Sequence, residues 1–138
     1  MSTSESAVIS ITIDAPFAKV ATDLADPYTH SEWATEFIAG PATPGPDDAT
    51  VIVPVPAMGG PTRYRVEADT ERGIIDLYLA PGDAPFGPPL PVRLVPNGDG
   101  VDVLWVLGRN PMMDDGAWSA AQASMARELE GLKARHES

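Results

Sequence analysis

The side chain best suited to acid or base chemistry in this sequence is His30. Histidine is the residue whose ordinary pKa lies closest to neutrality. Only two histidines are present, and the second, His136, stands close to the C-terminus. Proton transfer by His30 would require a partner within hydrogen-bond reach. Without such a partner, we expect an exposed or helix-capping histidine.

The sequence lacks the residues and motifs of several other common types of catalytic and metal site. The chain has no cysteine, which excludes disulfides, Cys-ligated zinc, iron–sulfur clusters and thiol catalysis. No serine lies in a nucleophile-elbow motif, and Gly59-Gly60 lacks the Lys-Ser/Thr ending of a phosphate loop, so we expect a turn there. Asp47-Asp48 and Asp114-Asp115 are adjacent pairs whose carboxylates diverge, which suits a solvated loop and a helix start. We therefore expect no catalytic residue, no metal and no cofactor.

Large apolar side chains are a better indication of function, because most ligand pockets are apolar with a few placed polar groups. Trp105 and Leu107 share one face of a predicted strand, and Arg109 has the same parity. Arg109 is therefore the candidate polar anchor, with a strand-end arginine that reaches water as the alternative. The candidate ligand-binding residues are Trp33, Tyr64, Val66, Trp105, Leu107, Arg109, Trp118, Gln122 and Met125. A solidly packed core is the alternative for the apolar members of this set.

The terminal segment, residues 114–138, would carry part of this set on a helix. One face repeats at helical spacing, which predicts an amphipathic helix; its members are Trp118, Ala121, Gln122, Met125, Leu129 and Leu132. The polar face is expected to hold Arg127, Glu128, Glu130, Lys133 and Arg135. A long helix that follows strands must lay its apolar stripe on a sheet.

The rest of the chain predicts mainly strands. Residues 7–13 alternate apolar and polar side chains, which is typical of a half-buried strand. Two short helices are predicted next, over 17–25 and 28–37. About six antiparallel segments follow, including 50–55 and two hairpins. The hairpins join 62–70 to 74–79, and 90–95 to 101–109 across a strong Asn-Gly turn signal.

This order of elements resembles the START-like or helix-grip superfamily, also called SRPBCC, and within it the polyketide cyclase/dehydrase-like group. The residues that carry the resemblance are Ile-Ser-Ile-Thr-Ile-Asp-Ala-Pro at 9–16, Val20, Leu-Ala-Asp-Pro at 24–27, Trp33, the segment 118–125, Leu129, Leu132 and Lys133. The resemblance implies an α+β fold. In it a curved antiparallel sheet of about seven strands grips the C-terminal helix, after two short N-terminal helices. It also implies a deep apolar cavity between sheet and helix.

The prolines of this chain depart from many members of that superfamily. Proline cannot donate a hydrogen bond to a neighbouring strand. Strands that contain Pro54, Pro56, Pro91 or Pro96 are therefore expected to be short, bulged or at an edge.

The length and net charge of the chain limit the number of domains and the kinds of partner that we expect. The chain of 138 residues suits one domain over 1–138, with 1–6 and 137–138 disordered or frayed. A formal charge of −11 disfavours nucleic acids and anionic lipid surfaces. No apolar run approaches the ~20 residues that span a bilayer, and no secretory signal is found, so a cytoplasmic protein is expected. A homodimer is left open.

Three functions remain open at this point. The leading expectation is binding of a hydrophobic small molecule, lipid-, polyketide- or aromatic-like, in the cavity that the resemblance implies. The second is a polyketide cyclase or dehydratase in the same cavity, with His30, Tyr64 or Arg109 assisting proton transfer. The third is a protein-interaction domain similar to chaperone co-factors, which would require an exposed apolar patch.

Overall fold

A computed structural model describes residues 3–138 as one seven-stranded antiparallel sheet crossed by a long helix. In chain order the elements are β1 (Ser6–Ile13), α1 (Phe17–Ala25), β2 (Thr43–Pro44), β3 (Thr50–Val55), β4 (Gly60–Asp69), β5 (Ile74–Pro81), β6 (Leu90–Asn97), β7 (Gly100–Gly108) and α2 (Asp115–Glu137). The strand order across the sheet is β1-β7-β6-β5-β4-β3-β2. The α+β fold, the seven strands and the C-terminal helix are confirmed.

The alternating side chains of the strands divide the sheet into two faces. On one face Val103 and Trp105 of β7, Tyr64 of β4 and Leu77 of β5 are buried. These residues belong to one apolar cluster that also contains Leu129 of α2. The hydrophobic effect therefore places the helix on this face, and the opposite face remains partly exposed to solvent.

The hairpin between β6 and β7 shows how a local signal sets register. Asn97 pairs with Gly100, which leaves Gly98 and Asp99 as the two turn residues. Gly98 has a φ of 58°, the value that a two-residue turn with glycine at its first position requires. The turn thereby fixes which side chains of β7 face the helix.

Prolines are tolerated in β6 because each lies where the strand has one neighbour. Pro91 pairs with Asp76 of β5, and pairing with β7 begins only at Val92. Pro96 pairs with Val101 of β7, beyond the end of the pairing with β5. The expectation of a short, bulged or edge strand is therefore wrong for β6 as a whole, although each proline avoids a two-sided position.

The second N-terminal helix is shorter than predicted. A 3₁₀ helix spans Pro27–Glu32 instead of residues 28–37. The Asp26 side chain accepts a hydrogen bond from the Tyr28 N–H at its start. The chain leaves helical geometry at Trp33, with φ −127°, and Trp33 becomes buried. Burial of this large side chain against the sheet outweighs continuation of the helix.

Both described ends of the chain are held more firmly than predicted. Ser6 already belongs to β1, and the Glu5 carboxylate accepts hydrogen bonds from the Arg109 guanidinium and the Trp118 indole. At the other end, Glu137 is the last residue of α2, and its carboxylate accepts from the Asp14 N–H at 2.7 Å. The expected disorder therefore does not extend to Glu5, Ser6 or Glu137, while residues 1 and 2 lie outside the described residues.

Candidate functional site

A cavity of about 310 Å³ lies between the inner face of the sheet and α2. Most of its wall is apolar, which is typical of a small-molecule site. The strands contribute Tyr64, Leu77, Leu90, Trp105 and Leu107, and α2 contributes Ala121, Ser124, Met125 and Glu128. The connecting segments contribute Ala34, Glu36, Phe37, Ala57 and Met113.

Four of the nine candidate ligand-binding residues line this cavity. They are Tyr64, Trp105, Leu107 and Met125. Trp33 and Val66 are buried in the apolar cluster and do not form part of the wall. Trp33 packs edge-to-face on Trp105, with ring centroids 5.6 Å apart, so it supports a wall residue from outside the cavity.

Trp118 and Gln122 lie beside the cavity. The Trp118 indole N–H donates to Glu5 at 3.2 Å, and the Gln122 amide donates to the Trp118 carbonyl at 3.4 Å. Neither residue lines the cavity, although both are among the nine candidate ligand-binding residues. At about 100° per residue, the lining stripe of α2 is centred on Ala121 and Glu128, and Trp118 and Gln122 fall on its flank.

Arg109 is not the polar anchor that its parity predicted. It follows the end of β7, and its guanidinium donates to Glu5 at 3.1 Å and to Asp115 at 2.9 Å. The same group also donates to the Met113 carbonyl. Arg109 is absent from the cavity wall. Two carboxylates that do not belong to the cavity wall, Glu5 and Asp115, hold the guanidinium there, because charge-assisted hydrogen bonds are stronger than neutral ones.

Tyr64, which lines the cavity, is hydrogen-bonded to His30, which lies behind the wall. The two atoms Tyr64 Oη and His30 Nδ1 are 2.6 Å apart, and His30 Nε2 is 2.8 Å from the Leu24 carbonyl oxygen. A carbonyl can only accept, so Nε2 carries the imidazole proton and Nδ1 accepts from the Tyr64 hydroxyl. His30 is fully buried, which corrects the expectation of an exposed or capping histidine.

Burial sets the protonation of both members of this pair. Desolvation lowers the pKa of His30 to about 4, against weaker contributions from the Leu24 carbonyl and from Asp23 and Asp26. Desolvation also raises the pKa of Tyr64, and the negative charge of Glu128 raises it further. Near neutral pH the pair is therefore a neutral imidazole and a protonated phenol.

Glu128 is the functional candidate that sequence reasoning missed. It was assigned to the polar face of the helix, yet it is 6% exposed and lines the cavity. Its Oε2 accepts from the backbone N–H groups of Glu36 and Phe37, each at 3.0 Å. Desolvation raises the pKa of Glu128, and those two hydrogen bonds oppose the rise. Its position three residues after Met125 and four before Leu132 was a signal that could have identified it.

A second recess, of about 370 Å³, lies on the surface where the end of α2 meets α1. The Asp23 carboxylate accepts from Arg135 at 2.9 Å and from His136 Nε2 at 2.8 Å. Its pKa is lowered: burial acts in the opposite direction, but hydrogen bonds from Arg135 and His136 outweigh it. This cluster ties the C-terminal turn of α2 to α1.

Within residues 3–138, no group of three potential ligands among His, Cys, Asp and Glu could hold a metal ion.

No helix in the described part of the chain is long and apolar enough to cross a membrane. No protein-family model and no curated protein matches the sequence.

Solved structures are similar to this chain over nearly its whole length. A START superfamily protein from Mycobacterium smegmatis is 17% identical, with a TM-score of 0.65, and the match covers 96% of this chain and 97% of that protein. The Aha1 dimer from Colwellia psychrerythraea is 19% identical, with a TM-score of 0.68, and 96% of each chain is covered. DynU16, a protein in the dynemicin biosynthetic locus, is 16% identical, with a TM-score of 0.64, and 96% of this chain matches 47% of that one. At these identities the likeness establishes the START-like fold.

Proposed function

From the START-like fold and the cavity between its sheet and helix, we propose that the protein binds a hydrophobic small molecule. The observation that carries the proposal is the cavity itself, because α2 covers the sheet without filling the space above Tyr64 and Trp105. Its volume of about 310 Å³ is at the lower end of the roughly 300–1,000 Å³ found for small-molecule sites.

The volume also bears on the kind of hydrophobic molecule. The space equals about ten water volumes, at roughly 30 Å³ each. A compact aromatic or short polyketide-like molecule matches this space better than a long-chain lipid. Trp105 and Phe37 offer aromatic surfaces for such a molecule, and Met125 offers a polarizable and adaptable one.

Filling the cavity tests the proposal. Ala121 lines the cavity, whereas Ala120, its neighbour on the same helix, is exposed. We expect Ala121→Trp to weaken binding of apolar fluorescent probes roughly tenfold or more, because the indole occupies the ligand's space. The matched variant Ala120→Trp should bind like the wild type, with circular dichroism confirming that both variants fold. Absence of binding to the wild type, or equal binding by both variants, would contradict the proposal.

A cyclase or dehydratase in the same cavity is the second candidate, and the Tyr64–His30 pair is the observation in its favour. Tyr64 lines the cavity and has a hydrogen-bonded partner, the geometric condition for assisted proton transfer. Both pKa shifts nevertheless act against it. A His30 with a pKa of about 4 is a weak base, and a Tyr64 with a raised pKa is a weak acid. We therefore infer that the pair orients a ligand and that binding without turnover is the better proposal.

A protein-interaction function receives less support. It requires a contiguous exposed apolar patch. The large apolar side chains exposed among the described residues lie on four different segments of the chain: Val8, Tyr28, Val95 and Met112. The β7 partners of Val8 and Val95, which are Val106 and Asp102, are four residues apart, or about 13 Å at the usual strand rise. We infer that these side chains are separate surface residues.

A homodimer stays a prediction, which analytical ultracentrifugation can test.

A further inference from the structure

The cavity wall contains four polar side chains, those of Glu36, Tyr64, Ser124 and Glu128. None has a free proton to donate, because the Ser124 hydroxyl donates to Glu36 at 2.8 Å and carboxylates only accept. Two of the four leave an acceptor available to a ligand. Tyr64 provides the first. The Leu24 carbonyl requires a proton on His30 Nε2, and the resulting lone pair on Nδ1 takes the Tyr64 O–H. The hydroxyl proton is thereby committed to His30. Tyr64 Oη can offer the cavity only a lone pair.

Glu128 provides the second acceptor. Its Oε2 is occupied by the N–H groups of Glu36 and Phe37. Within the described residues, no protein group donates to its other oxygen, Oε1. Two backbone donors favour the ionised form of a carboxylate. Burial acts against them and raises the pKa of Glu128 above its ordinary value, so the ionised form is present near neutral pH but is poorly compensated, and among residues 3–138 its Oε1 has no protein donor.

No positive side chain lines the cavity to neutralise that charge. None of the described lining residues is Lys, Arg or His. The charge of Arg127 lowers the pKa of Glu128 only weakly, because its guanidinium is bound to Glu36, with Arg127 Nε at 2.8 Å and Nη2 at 2.7 Å from that carboxylate. A buried carboxylate without a cationic partner is costly. A ligand that carries the missing charge would relieve that cost.

We propose that the preferred ligand is a compact apolar molecule that bears a protonated amine, an inference that rests on the proposed binding function. The ammonium group would donate to Glu128 Oε1 and to Tyr64 Oη, while the apolar body packs on Leu107 and Met125. The face of Trp105 would add a cation–π attraction. A carboxylate ligand would be repelled by Glu128. An uncharged alcohol would form the hydrogen bonds without the charge pairing.

Three probes with one hydrocarbon body separate these cases. We suggest 4-phenylbutylamine, 4-phenylbutanol and 4-phenylbutyrate, titrated into the wild-type protein by calorimetry at neutral pH. The amine is expected to bind roughly tenfold or more tightly than the alcohol, because both can donate to the carboxylate but only the ammonium brings the opposite charge that compensates it. The carboxylate is expected to bind most weakly.

A matched pair of variants then assigns the preference to one residue. Glu128→Gln removes the buried charge and nearly keeps the side-chain shape. It should reduce affinity for the amine roughly tenfold and change affinity for the alcohol about twofold or less. Glu130→Gln makes the same change at an exposed position of the same helix. It should leave both affinities unchanged, which separates a local effect from the overall charge of the protein.

The outcomes distinguish the ligand class from the proposed function. If the alcohol and apolar fluorophores bind but the amine has no advantage, or if Glu128→Gln keeps that advantage, the amine proposal is wrong and the binding function stands. If no probe of either kind binds, the binding function fails as well. The ranking of the three probes on the wild type decides the proposal even if Glu128→Gln does not fold.

Discussion

Tyr64 and His30 hold each other in one protonation state, and both depend on the Leu24 carbonyl. Protonation of His30 would place a charge in a site without solvent and would remove the acceptor of the Tyr64 hydroxyl. A buried charge without a partner is strongly disfavoured. The depressed pKa of His30 is therefore also a statement about the stability of the fold.

Stability should fall as the pH is lowered through the range in which His30 titrates. An unfolded chain binds the proton at a pKa of about 6.5, whereas folded His30 binds it only at about 4. The stabilisation is fully present above the unfolded pKa and is lost as the pH falls toward the folded one. The expected loss between these limits is about 3 kcal/mol, measured by urea unfolding across that pH range.

Variants assign this loss to one histidine. His30→Gln should flatten the pH dependence of the unfolding free energy relative to wild type. His136→Gln keeps His30 and should retain the loss. Because His136 also binds Asp23 and lowers its pKa, the comparison that carries the assignment is His30→Gln against wild type, in which Asp23 keeps both Arg135 and His136. An unchanged slope in His30→Gln would contradict the assignment.

The rotation of α2 about its axis decides which residues reach the cavity. Its apolar spacing indicated the correct helix and the correct general side. The stripe that faces the cavity is nevertheless centred on Ala121 and Glu128, and Trp118 lies on its flank against Glu5. The i, i+4, i+7 relation of Ala121, Met125 and Glu128 places all three on one face. A charged residue in such a series is a useful sign of a functional position.

The β4–β5 hairpin depends on Gly73 for a local backbone reason. Its φ is 69°, and a Cβ at this position would lie 2.5 Å from the Leu94 carbonyl oxygen. We expect Gly73→Ala to lower the unfolding free energy by about 2 kcal/mol or more, from strain and the clash combined. Gly87→Ala is the control, because nothing lies within 4 Å of its added Cβ. Thermal and urea denaturation of the two variants gives the comparison, and equal stabilities would contradict the role given to Gly73.

At the scale of the whole molecule, side chains at the end of α2 form hydrogen bonds and ion pairs with the N-terminal part of the chain. Arg135 and His136 bind Asp23 of α1. Lys133 donates to the Thr12 carbonyl at 2.7 Å, and Glu137 accepts from Asp14. The Lys133 and Glu137 contacts occupy backbone groups at the end of β1, the edge strand that pairs only with β7. Covering an edge in this way limits unwanted strand pairing.

Removal of residues 135–138 should therefore destabilise the protein. The truncation removes the partners of Asp23 and the acceptor of the Asp14 N–H, and it exposes the contact surface of buried His136. We expect a loss of about 2 kcal/mol, measured by urea unfolding. Removal of Ser138 alone should have little effect, since Ser138 is exposed. If both truncated proteins have the same unfolding free energy, the contacts at the end of α2 do not stabilise the fold.

Local patterns in the sequence were sufficient for the order and type of the elements. Alternation predicted β1, helical spacing predicted α2, and the Asn97-Gly98 signal predicted the β6–β7 turn, because each depends on neighbours along the chain. The second short helix ended early because burial of Trp33 against the sheet, a non-local contact, outweighed its local preference.

The cavity depends on contacts between distant residues, and only the folded chain reveals them. Tyr64 and His30 are 34 residues apart, and Glu128 and Phe37 are 91 apart, so no local pattern could pair them. Arg109 has the same strand parity as the cavity residues Trp105 and Leu107, but its guanidinium is hydrogen-bonded to Glu5 and Asp115 outside the cavity. Periodicity indicates which face of an element a side chain occupies. The packing of helix on sheet decides whether that face meets a core, a cavity or solvent, since it depends on free energies summed over the whole molecule.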